Sequence, residues 1–139
     1  MLSSRLLVYC VLASGLYLLI ISVLLRYVGH RLRVTEGIKP ELLESTGLTW
    51  SFIHFLIEAV FFVSIPTITY GFFYLLIPLS GAKAGLAAAL FAFTLGAAPV
   101  LMGLSVRVKL PMPFLLFTLL SHLLKLAGCM AIIGYLYSL

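Results

Sequence analysis

TWSFIHFLIEAVFFVSIPTITYGFFYLLIP, residues 49–78, contains one acidic side chain, Glu58, and one histidine, His54, in a run otherwise free of charge. An apolar run of this length is long enough to cross a bilayer as a helix, which takes about 20 residues. A carboxylate in hydrocarbon is costly, so it is normally paired, protonated or turned to water. Glu58 is therefore the residue whose surroundings matter most. Pro66 interrupts the same run and predicts a kink there. Ser64, Thr67 and Thr69 are placed to satisfy carbonyls that the proline frees.

The rest of the chain has the same character. Of its 139 residues, 63% are hydrophobic and 9% are charged. Soluble domains carry about 25% charged residues, and a chain this short has no core large enough to hide such an excess. The composition predicts an all-α membrane protein in a single domain, residues 1–139. Its form is a four-transmembrane-helix bundle, with helices near 6–28, 50–78, 84–106 and 113–137. Leu6–Leu25 is free of charge between Arg5 and Arg26, too long for a signal-peptide core of about 7–15 residues and better suited to a retained span. Ala84–Val106 is rich in small residues. Ala88, Ala92 and Gly96 fall at four-residue spacing, which predicts a groove for close helix packing. Pro99 predicts a second kink, and Pro113 suits the first turn of the last helix.

The only long hydrophilic stretch is Arg26–Thr49. Within it Lys39–Gly47 predicts a short amphipathic cytoplasmic helix, with Pro40 at its start, Glu41 near the positive end of the dipole and Gly47 at its C-terminal cap. The loops fix an expected orientation. Arg26, Arg31, Arg33, Lys39, Arg107 and Lys109 sit in the first and third connections, against Arg5 and Lys83 on the other side. Six against two is a positive-inside bias, which predicts a multi-pass protein of the cell (plasma) membrane with both termini non-cytoplasmic. The net charge of +5 belongs to helix ends and lipid headgroups rather than to a nucleic-acid face.

That orientation makes depths comparable. At 1.5 Å per residue, Glu58 lies roughly 12 Å past Trp50 and His122 roughly 13 Å past Pro113, with Lys125 one turn deeper. The expectation is an intramembrane polar cluster of Glu58, His122 and Lys125, with Glu58 paired to Lys125. Such a cluster either locks helices together or relays protons; it could also face another subunit. His54 is shallower and fits an interfacial hydrogen-bonding role. It is also a possible ligand for haem or chlorophyll, but a bis-histidine haem with His122 would have to bridge a depth difference of roughly 7 Å. Cys10 and Cys129 lie in apolar runs and are expected as buried free thiols.

No HExxH, P-loop, GxSxG, TVGYG or zinc-type cysteine spacing is present, and the chain has no aspartate. These absences predict a protein with no catalytic residues and no metal, and disfavour an enzyme. The leading expectation is a small subunit with a structural or accessory role in a larger membrane complex, surrounded by lipid and by other subunits or copies of itself. The alternatives are a small oligomeric proton- or ion-coupled transporter using Glu58, His122 and Lys125, and a haem- or chlorophyll-binding electron-transfer or antenna subunit.

Overall fold

A computed structural model describes residues 3–33, 36 and 47–139. The described residues are almost wholly helical, with no strand among them. Among the described residues, four helices are long and apolar enough to cross a membrane: α1 Ser4–Leu32, α2 Leu48–Leu76, α3 Gly81–Arg107 and α4 Met112–Tyr137. The short helix expected over Lys39–Gly47 falls, except for Gly47, outside the described residues.

The helix ends follow the local chemistry. α1 stops at Arg33, whose φ of 52° is left-handed, and its amide N–H donates back to His30, a common way to close a helix. α2 tightens to a single 3-10 turn at Tyr74–Leu76 before the link to α3. α3 opens at Gly81, whose φ of +64° suits glycine and few other residues.

Both prolines lie just beyond a wider turn. In α2 the segment Val60–Ser64 is π-helical, and the amide N–H of Ile65 donates to the carbonyl of Val60. In α3 the segment Phe93–Ala97 is π-helical, and the amide N–H of Ala98 donates to the carbonyl of Phe93. In each case the donor is the residue before the proline. An extra residue in the turn displaces the carbonyl that would otherwise meet the proline ring. The sequence predicts a kink at these places and does not disclose its type. Nor does Thr67 do what was expected of it. Its hydroxyl is buried without a hydrogen-bond partner, while its carbonyl accepts from the Tyr137 hydroxyl at 3.2 Å.

α4 is the central helix and touches each of the other three. Against α3 the approach is backbone to backbone. A Cβ added at Gly85 would lie 2.0 Å from the Met130 carbonyl oxygen, and one at Gly134 would lie 2.6 Å from that of Gly81. Only glycine permits that spacing. Against α1, the Tyr17 ring lies over Gly128 and its hydroxyl donates to the Leu124 carbonyl at 3.1 Å. Ser14 and Cys129 cross one level deeper, the Ser14 hydroxyl reaching the Cys129 carbonyl at 3.5 Å. Cys10 and Cys129 are both buried and both free.

Within the chain, the small-residue face that packs against α4 differs from the one that the four-residue spacing picks out. Ala88 is half-buried, but Ala92 and Gly96 are exposed, and nothing stands within 4 Å of a Cβ built on Gly96. The face in contact is Gly81, Ala84, Gly85 and Ala89. Both sets have helical periodicity, and spacing alone does not choose between the two faces.

Candidate functional site

The middle of α2 meets α1 and α4 at Glu58. Lys125 Nζ of α4 donates to Glu58 Oε1 at 2.6 Å. His54 Nε2, one turn earlier on α2, stands 3.1 Å from the same oxygen. The second oxygen, Oε2, accepts from Ser22 Oγ of α1 at 3.3 Å. Three helices thus converge on one carboxylate, and both its oxygens have partners inside the chain. The Glu58 and Lys125 side chains are 13% and 14% exposed, whereas His54 is 54% exposed. The pair therefore belongs with enclosed ion pairs, whose loss leaves a stranded charge, rather than with surface pairs of small worth.

His122 stands next to this network and outside it. No hydrogen bond joins it to Glu58 or Lys125 among the described residues. Its ring packs instead between two aromatic rings, that of Phe62 edge-on at 4.7 Å and that of Phe93 at 6.2 Å. Phe62 and Phe93 belong to the two π-helical segments. The interruptions in α2 and α3 therefore face the same histidine. Single-turn π segments recur at functional sites because they re-aim side chains without ending the helix.

The ion pair lines a cavity of about 760 Å³ between α1, α2 and α4. Ser22, His54, Glu58, Ser121, His122 and Lys125 form its inner part, and Arg26, His30, Trp50 and Phe114 lie towards the helix ends at the first and third connections. Ser121 Oγ is buried there without a hydrogen-bond partner. At the other end the space between helices is filled by Thr67, Tyr70, Met130 and Ile133, and the rings of Tyr70, Tyr74 and Tyr137 pack together. Polar surface thus reaches the ion pair from one end of the molecule.

Two members of this site carry little sequence signal. Ser22 is one hydroxyl in an apolar run, and its role depends on which face of α1 turns inward. Arg26 reads as a helix-end charge, yet its Nη1 donates to Ser51 Oγ of α2 at 3.1 Å. Comparison with protein-family models, characterised proteins and solved structures finds no match for this chain, so its function has to be argued from its own geometry.

Proposed function

We propose that this chain is an integral membrane four-helix bundle of the small proton- or ion-coupled carrier class, with the Glu58–Lys125 pair as its working centre. One observation carries this reading: an enclosed ion pair lines a cavity that runs to one end of the bundle, with Arg26, His30, Ser51 and His54 set among its apolar walls. A pair that served only to hold helices together would need no such cavity. In the proposed mechanism Glu58 passes a proton to and from the cavity through His54, which shares its Oε1 and is half exposed. Lys125 compensates the carboxylate when that proton leaves. The π segments beside His122 supply the joints at which α2 and α3 bend to open the filled end. The loop charges orient the cavity mouth towards the cytoplasm, with both termini on the opposite side.

Purified protein in vesicles, with a pH-sensitive dye inside, tests this. An imposed gradient should drive flux that Glu58→Gln abolishes; flux equal to that of the wild type in Glu58→Gln would remove Glu58 from the mechanism.

A second reading, an accessory subunit of a larger membrane complex, has an observation of its own. Ala92, Gly96 and Gly103 are exposed on α3, and both glycines have open space where a Cβ would sit. A helix of another subunit could approach closely there. The charge network does not call for such a partner, because Glu58 is satisfied within the chain. If Gly96→Leu strips a co-purifying subunit present at fixed stoichiometry, the accessory reading takes precedence.

A further inference from the structure

A second concavity lies on the outside of the bundle, between α1 and the first turns of α2. It has a volume of about 610 Å³, within the range of about 300–1,000 Å³ usual for small-molecule sites. Its walls are apolar: Leu19 and Val23 of α1, Phe52 and Phe55 of α2. At its end near the first connection stand Arg26 and Ser51, joined by the 3.1 Å hydrogen bond from Nη1 to Oγ. Ser22, Arg26 and Ser51 also line the interior cavity, so these three residues form a shared wall between groove and cavity.

We propose that this groove is a binding site for an anionic phospholipid, with the headgroup phosphate on Arg26 and one acyl chain along Leu19, Val23, Phe52 and Phe55. The charge argues for an anion. A guanidinium has five N–H donors, Arg26 gives one to a neutral hydroxyl, and no ion-pair partner for it exists among the described residues. The apolar walls below it argue for a hydrocarbon chain rather than a free phosphate, since a bare anion gains nothing from four apolar side chains. Arginine also suits phosphate better than lysine would, because its fork can engage two oxygens at once. The proposal rests on the chain lying in a bilayer and does not presuppose proton coupling at Glu58.

Trp50 is the only tryptophan. It is partly exposed and lines the cavity mouth next in sequence to Ser51, which cavity and groove share, so it reports on this end of α2. The experiment reconstitutes the protein into phosphatidylcholine vesicles containing a minor fraction of acyl-brominated phosphatidylglycerol or, in parallel, acyl-brominated phosphatidylcholine. Flotation with the vesicles is checked first, so that failure of the membrane reading is distinguished from failure of the lipid site. Bromine quenches Trp50, and the anionic lipid should be preferred about fivefold, the effect expected of one basic side chain at a membrane surface. Arg26→Gln should lose the preference and Arg31→Gln should keep it. Should Arg26→Gln fail to fold, competition in the wild type decides: unbrominated phosphatidylglycerol should restore emission, and unbrominated phosphatidylcholine should not. Equal quenching by the two lipids, an equal loss in Arg31→Gln, or no recovery on competition would overturn the proposal. So would Arg26-dependent quenching by a brominated fatty acid in place of the phospholipid.

Discussion

Removing one charge from the Glu58–Lys125 pair should cost more than removing both. In Glu58→Gln the Lys125 ammonium keeps an amide oxygen at best, in a setting where its side chain is 14% exposed. In Lys125→Met the carboxylate retains Ser22 and His54, so this loss should be the smaller of the two. Breaking an enclosed ion pair by deleting one partner costs roughly 3–5 kcal/mol, whereas replacing both partners by groups of similar volume is often neutral. Interhelical hydrogen bonds in membrane bundles set the lower comparison, averaging about 0.6 kcal/mol and reaching about 1.7. The coupling energy in a double-mutant cycle of Glu58→Gln and Lys125→Met should therefore exceed about 2 kcal/mol, above the ceiling for such hydrogen bonds. The assay is reversible unfolding in mixed detergent micelles, followed by Trp50 fluorescence and far-ultraviolet circular dichroism together. Coincident transitions license the free energies. A double variant no more stable than Glu58→Gln, or a coupling at or below about 0.6 kcal/mol, would show that the pair contributes no more than an ordinary hydrogen bond.

Other outcomes can be measured in the same assay. Gly85→Ala should destabilise by at least the 1–3 kcal/mol typical of overpacking, because its Cβ would meet the Met130 carbonyl. Gly103→Ala, on an open face, should stabilise by roughly 0.5–1 kcal/mol; equal effects at the two positions would contradict the α3–α4 packing. Gly128→Ala should displace the Tyr17 ring and lower stability, and Tyr17→Ala in the same chain should recover part of the loss. No recovery would mean that the ring does not occupy that place. Tyr17→Phe, which removes only the bond to Leu124, should cost about 0.6 kcal/mol.

Helix number was legible because hydrophobic runs of about 20 residues punctuated by charge have few other physical solutions. The ends in the structure, such as Leu48 and Leu76 for α2, fall within a few residues of those drawn from charge and proline positions. Glu58 and Lys125 could be placed at similar positions along their helices from rise per residue, and opposite charges in apolar surroundings seek each other. Rotation about the helix axis was much harder to read. It decides that Ser22 faces Glu58, that His122 turns towards Phe62 and Phe93, and that Gly81 and Gly85 are inward while Gly96 is outward. In soluble helices a polar face reveals that rotation. Here large apolar residues face the exterior as well as the core on every helix, so the contrast that would mark the inside is weak, most of all in α4 and the first half of α3. The wider turns were hidden for a related reason, since a π turn changes the angular phase without changing composition.

The paired wide turns also bear on chain length. A π turn holds one residue more than the α turn it replaces, so Val60–Ser64 and Phe93–Ala97 each act as an insertion that the helix has absorbed. Proline and insertion form one device. Deleting a residue from Val60–Ser64 would return the Pro66 ring to a carbonyl, and replacing Pro66 alone would leave the surplus residue in place. Together the two changes leave an uninterrupted helix with its two halves in their present phase. The chain should therefore tolerate the double edit better than either edit alone. The same logic applies at Pro99, so α2 and α3 each hold one spare residue at the level of His122, available to be taken up or released.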